Sequence, residues 1–307
     1  MNPDRPFTHW LALAFLAAAW GSSFALTKAA VQSVEPIWMP AARISIAAVI
    51  LVVVLKARGG RLPRGLRNWA WLFGLGAIGT MLPFFLVSWA TLHASSSQVG
   101  ILMTTNPLMV LALIQLFLPD EPVCSRHVAG FTIAFIGVVL LIGSGPLLSL
   151  DSTGLILWAE MAALAAAFCY AAQTVIARQT PDIDLVGKSA GTLVAIAPFA
   201  IGVAVVTAPS GLLSATPGAL LAILFLAIAP TGIAMLVLFW LIKHAGARFL
   251  AMSNYLVPIF AMLIGVAIMS EFLSAGDLTG LALILTGILI SEGRLSRMAA
   301  ARRPSGK

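Results

Sequence analysis

Long apolar runs alternate with short polar stretches along the whole chain. A helix that crosses a hydrocarbon core of about 30 Å needs roughly 20 apolar residues at a rise of about 1.5 Å each. Ten runs meet that measure, at residues 8–30, 37–55, 69–91, 95–118, 125–145, 154–177, 186–207, 217–242, 247–269 and 276–293. The pattern therefore predicts an all-α integral membrane protein of ten transmembrane helices. Composition agrees: of 307 residues, 60% are hydrophobic and 9% charged, where soluble domains carry about 25% charge. The segment from Leu11 to Ala19 has the length of a signal-peptide core ending in small residues. The apolar run continues to Ala30, however, and has a counterpart in the second half, so it reads as the first span.

That counterpart belongs to an internal repeat of about 150 residues. The stretch "WATLHASSSQVGILMTTNPL" at 89–108 lies on "WLIKHAGARFLAMSNYLVPI" at 240–259, with Trp89 on Trp240, His93 on His244 and Pro107 on Pro258. One deletion later Glu121 meets Glu271, Gly130 meets Gly280 and Gly137 meets Gly287; at the same spacing Trp20 meets Tyr170 and Lys28 meets Arg178. The units are residues 8–145 and 154–293, followed by a basic tail at 294–307. Each unit holds five spans, and an odd number sends the second copy into the membrane from the opposite side.

Charge supports the inversion independently. The net charge of +7 would suggest nucleic acid for a soluble protein, but here the basic residues fall on one face. With the N-terminus inside, that face carries Arg5; Lys56, Arg58, Arg61, Arg64 and Arg67; Arg126; Arg178 and Lys188; Lys243 and Arg248; and Arg294, Arg297, Arg302, Arg303 and Lys307. The other face has Lys28, at the edge of the first span. The positive-inside rule puts both termini in the cytoplasm. Inverted repeats are a common plan of secondary transporters, with the substrate site near mid-membrane between the repeats; a symmetric bundle without a ligand is the alternative.

Polar residues inside the spans mark where such a site would lie. Seven tryptophans (Trp10, Trp38, Trp69, Trp71, Trp89, Trp158, Trp240) sit near span ends, as an interfacial belt does. Trp20, Tyr170 and Tyr255 sit well inside, where they either line a cavity or pack in the bundle. In "TTNP" and "SNYLVP", Pro107 and Pro258 cannot donate to the carbonyls of Met103 and Asn254. A carbonyl freed in lipid needs protein or water to satisfy it, so these centres are expected to kink and to face a wet interior. Thr80 with Pro83, and Pro230 with Thr231, mark the third and eighth spans similarly. Hydrogen bonding between helices without any ligand is the competing reading.

Arg43 and Glu160 are ionisable residues lying well within spans, each costing at least about 2.5 to 3.5 kcal/mol near a bilayer centre if unpaired. Both lie toward the outer edge, where they could pair or snorkel, and a structural or gating role is expected of them. No Asp or Glu falls at the midplane. Cys124 and Cys169 offer neither a disulfide framework nor metal spacing, and no cofactor is implied. No G-x-S-x-G or H-E-x-x-H motif occurs, and His9, His93, His127 and His244 lie near span ends, so no intramembrane enzyme is visible. Kinked helices about a shared site suit a carrier better than a channel.

Taken together, "AAWGSSF" at 18–24, Arg43, the prolines of "NP" and "VP", Glu121 with Glu271, and the pairs Gly130/Gly137 and Gly280/Gly287 resemble the drug/metabolite transporter superfamily in its EamA-domain branch, from about residue 8 to 294. The resemblance implies a ten-helix inner-membrane carrier, often an amino-acid exporter, with a cavity lined by spans three, four, eight and nine. Carried over residue by residue, it points to Thr80, Gln98, Thr105, Asn106, Thr231, Ser253, Asn254 and Tyr255, beside Trp20 and Tyr170, with Gly79, Gly100, Gly232, Pro83, Pro107, Pro230 and Pro258 as hinge candidates. The second copy departs from the pattern, having Tyr170 for Trp20 and nothing to match "GSSF" or Arg43. Neutral hydrogen-bonding groups among aromatic rings suit small neutral, even aromatic, amino acids. A carrier of phosphorylated compounds or nucleotide sugars is the alternative, and would want a Lys or Arg fixed at the midplane, where none is expected. The partners implied are a small-molecule substrate and the bilayer, not nucleic acid.

Overall fold

The computed structural model describes residues 6–117, 125–143, 154–179, 183–250 and 252–291, and every regular element among them is helical. In chain order these are α1 (Phe7–Ala30), α2 (Trp38–Ala57), α3 (Leu66–Gly76), α4 (Leu82–His93), α5 (Ser96–Leu102), α6 (Asn106–Phe117), α7 (Ser125–Gly143), α8 (Leu155–Gln179), α9 (Leu185–Thr207), α10 (Pro217–Ala227), α11 (Ala234–Ala245), α12 (Ala247–Leu250), α13 (Ser253–Met269) and α14 (Ala275–Ser291). Among the described residues, seven continuous helical stretches are long and apolar enough to cross a membrane: Phe7–Ala30, Trp38–Ala57, Leu66–His93, Ser96–Phe117, Leu155–Ala177, Leu185–Thr207 and Pro217–Ala245. Shorter apolar helices cover Ser125–Leu141, Ser253–Met269 and Ala275–Ile290. Glu121, Cys124 and the basic tail lie outside the described residues.

Large apolar side chains are as common on the outside as within: Val206, Phe135, Phe199 and Leu221 are half or more exposed, as expected of helices that are apolar all round. Inside, the helices close on small residues. α7 lies along α14, and a Cβ added to Gly137 would stand 2.8 Å from the Gly280 carbonyl while one on Gly280 would stand 2.9 Å from that of Gly137. Only glycine at both places lets the two backbones approach so closely. α2 packs against α9, α1 against α13, and α4 against α8.

Several spans are interrupted in mid-course. A π-helical segment, Ala77–Met81, joins α3 to α4, and another, Ile228–Ile233, joins α10 to α11. π-Segments of this kind sit mostly at functional sites. Between α5 and α6 runs a 3-10 turn, Met103–Thr105. At Pro107 the stretch passes from the 3-10 turn into α6: Pro107 stands in the first turn of α6, where no N–H is required of it, and the Met103 carbonyl accepts from the Asn106 N–H instead. Thr104 and Thr105 belong to the same device, donating their hydroxyls to the carbonyls of Ile101 and Leu102 at 2.6 and 2.8 Å. Pro258, by contrast, lies inside α13.

A polar clasp and a central cavity

At one end of the bundle, Glu271, in the loop between α13 and α14, reaches the start of α5. It accepts from the backbone N–H of Ser96 (2.7 Å) and Ser97 (3.0 Å), from both hydroxyls (2.9 and 2.7 Å), and from Lys28 Nζ at 3.0 Å. Ser95 Oγ takes the next N–H, that of Gln98. The first turn of a helix leaves these donors without intrahelical partners, and an anion is favoured there by the helix dipole. Burial alone would raise the Glu271 pKa; the hydrogen bonds from Ser97, Ser96 and Lys28 outweigh it and hold the carboxyl at about 2. Lys28, the one basic residue expected on the sparse face, is thus accounted for by an ion pair and by its bond to the Ala94 carbonyl at 3.1 Å. Gln98 adds a 3.3 Å bond to Asp277, which caps α14 with Ser274.

Between the interrupted helices lies a cavity of about 400 Å³, within the usual range of roughly 300 to 1,000 Å³ for small-molecule sites. Trp20, Thr80, Asn106, Tyr170, Thr231 and Asn254 are brought to its wall, with Gly79, Gly100, Pro230 and Pro258 of the hinge candidates. Trp20 Nε1 donates to the Pro230 carbonyl at 3.2 Å, and Asn106 Nδ2 to that of Ala167 at 2.9 Å. Gln98, Thr105, Ser253 and Tyr255 are not on the wall: Gln98 belongs to the clasp, Thr105 turns back on its own helix, Ser253 is buried, and Tyr255 packs against the apolar cluster around Leu102 and Ala261.

Arg43 departs furthest from expectation. It extends from α2 to the cavity wall, nearly buried, its Nε donating to Thr231 Oγ1 at 2.7 Å and its guanidinium carbon 3.9 Å from the centre of the Phe84 ring. Glu160 is not its partner; that carboxylate is fully buried in α8, off the wall, with neither oxygen hydrogen-bonded. No Asp or Glu lines the cavity among the described residues.

Residues the sequence reading passed over include Ser23, Phe84, Gln173, Leu193 and Met235. The repeat held the missing signal: the spacing that sets Trp20 on Tyr170 also sets Ser23 on Gln173. Gln173 owes its place to Gly79, whose position admits no Cβ because the Gln173 side chain fills that space.

The model of the EamA-like transporter family matches the chain twice, over residues 8–143 and 157–292. An "Uncharacterized transporter YyaM" of Bacillus subtilis is 27% identical over 277 residues, 89% of this chain and 90% of that one. An "Uncharacterized transporter" of Archaeoglobus fulgidus is 26% identical over 86% of this chain and 90% of its own length. Another protein of the same name and organism matches at 29% identity over 43% of this chain and 46% of itself. A solved crystal structure, 24% identical, shares the fold with a TM-score of 0.65 over 91% of this chain and 96% of the other.

Proposed function

The chain belongs to the EamA-like transporter family, and on that premise we propose that it exports neutral, apolar amino acids, aromatic ones included, across the inner membrane by alternating access. That it is a multi-pass membrane transporter follows from the family and from its apolar helices. The finer reading takes residues 8–145 and 154–293 as oppositely oriented five-helix copies, ten spans in all, with both termini and the 294–307 tail in the cytoplasm.

The observation that carries this reading is that the cavity wall is built twice. Gly79 and Pro230, Thr80 and Thr231, Phe84 and Met235, Met103 and Asn254, and Asn106 and Val257 all line it, and each pair is separated by the spacing that sets Trp89 on Trp240. Packing follows the same rule, α2 against α9 and α7 against α14 being contacts between matched spans. A pocket where two related units meet can be exposed to either face by rocking one against the other. The two π-segments and the 3-10 turn give the helices places to bend without breaking regular α-helix elsewhere. The aromatic and aliphatic wall suits an apolar side chain, and Asn106, Asn254 and Gln173 supply amide groups for its polar end.

The test is counterflow of labelled leucine and phenylalanine in proteoliposomes. Flux is expected with the wild type and lost when Trp20, Asn106 and Asn254 are together replaced by Ala. Flux that survives this change would refute the site, and absence of flux for every amino acid would refute the substrate class.

A further inference from the structure

We propose that Arg43 is the anchor for a carboxylate on the transported molecule, so that the carboxylate is obligatory for recognition and the amino group is not. The inference rests on the transporter reading and deepens it.

The chemistry begins with Pro230, which has no N–H to offer the Leu226 carbonyl four residues back. The Thr231 hydroxyl takes that place, donating to Leu226 O at 2.8 Å. Its oxygen, held there, accepts from Arg43 Nε at 2.7 Å. One face of the guanidinium is covered by the Phe84 ring, a favourable cation–π arrangement. One edge and one face are therefore occupied, and the group is fixed in orientation. The two terminal nitrogens are left over: among the described residues no acceptor meets them, and they are not sealed from the cavity.

A cation in a membrane interior is expected to have a counter-charge. Glu271 is taken by Lys28, and among the described residues the cavity wall carries no acid. The missing partner is supplied by the cargo. Two parallel N–H groups on a planar, pre-oriented guanidinium match the two oxygens of a carboxylate. For an ammonium the wall provides no charged acceptor, only neutral groups: hydroxyls such as those of Thr80 and Tyr170, and amide oxygens such as that of Asn106, whose nitrogen is already engaged with Ala167. The site thus distinguishes the ends of an amino acid unequally, strongly at the carboxylate and weakly at the amine.

The experiment has two arms. In proteoliposomes, counterflow of labelled phenylalanine is challenged with phenylalaninamide, phenethylamine and phenylpyruvate, for the wild type, Arg43→Lys and Arg43→Gln. In detergent, thermal stabilisation of the same proteins by the same compounds reads binding without transport. Phenylpyruvate is expected to compete and to stabilise, the amide and amine to do neither. Loss of a charge-assisted pair is expected to raise the apparent KM of Arg43→Gln about tenfold or more, to abolish its preference for acid over amide, and to leave Arg43→Lys intermediate. A merely structural arginine would not change the acid-to-amide preference. The anchor is overturned if amide and acid act equally on the wild type, or if Arg43→Gln keeps the preference. Carboxylate stabilisation that depends on Arg43, without counterflow, would keep the anchor and overturn the transport reading. Neither stabilisation nor counterflow would overturn both.

Discussion

Replacing Glu271 with Gln changes few atoms and should cost about 3 kcal/mol, a figure reached by two routes. The carboxylate accepts five hydrogen bonds, two from backbone N–H groups, two from hydroxyls and one from Lys28. Gln keeps an acceptor for Ser96 but turns an NH2 toward Ser97, where a backbone N–H already points. One buried donor is left unsatisfied, at about 1 to 3 kcal/mol, and the remaining bonds lose charge assistance. Lys28 is 26% exposed, so its ion pair adds less than a buried one. The second route is proton linkage. A carboxyl held at about 2 instead of 4.5 corresponds to roughly 3 kcal/mol at about 1.4 kcal/mol per pH unit. Because the folded pKa is depressed, this stability is complete above pH 4.5 and disappears as the pH falls toward about 2. Thermal unfolding of wild type and Glu271→Gln in detergent, from pH 7 downward, measures the difference directly and cancels every other titrating group. The gap should be constant above pH 4.5 and narrow below it. Equal stability at pH 7, or a gap unchanged in acid, would refute the clasp as the source.

Other consequences can be checked alongside. Gly79→Ala places a Cβ on the Gln173 side chain; overpacking costs about 1 to 3 kcal/mol, and a Gln173→Ala background should remove most of that cost in a double-mutant cycle read by thermal unfolding. Glu160→Met removes a fully buried carboxylate with no hydrogen-bond partner and should raise stability by about 1 to 3 kcal/mol; a fall instead would mean that the carboxylate is satisfied in the membrane. Ser95→Ala deprives Gln98 N–H of its acceptor and should cost about 0.5 to 2 kcal/mol, additive with nothing that also touches Glu271.

Much of the helical plan was legible because lipid forces it: a backbone that must satisfy itself leaves long apolar runs no alternative to helix. The interior of those runs was less legible. "TTNP" announces an irregularity, but whether Pro107 kinks a helix or begins one depends on Thr104 and Thr105 capping Ile101 and Leu102. A hydroxyl that can bond its own helix or a neighbour gives the same letter in either case. The family resemblance points to Tyr255 and Ser253, yet a position along a span does not specify which side of a helix faces the cavity. Gln173 was missed for the converse reason: nothing nearby in sequence marks it, and it becomes conspicuous only when Ser23 is carried across the repeat.

Arg43 shows what the repeat hides as well as what it reveals. At the spacing that sets Trp20 on Tyr170, Arg43 falls on Leu193, and both line the cavity. Duplication would give a symmetric pocket, indifferent to which way round a substrate lies. A charge at one matched position and a branched hydrocarbon at the other remove that indifference. Reading depth from the backbone put Arg43 near the outer edge, but a long side chain delivers its charge well away from its own Cα. Counting helix residues therefore underestimates how far an arginine can act into a membrane. The charge asymmetry of this pocket thus lies in one matched position of its wall, Arg43 against Leu193, not in the prolines and threonines the two copies still share.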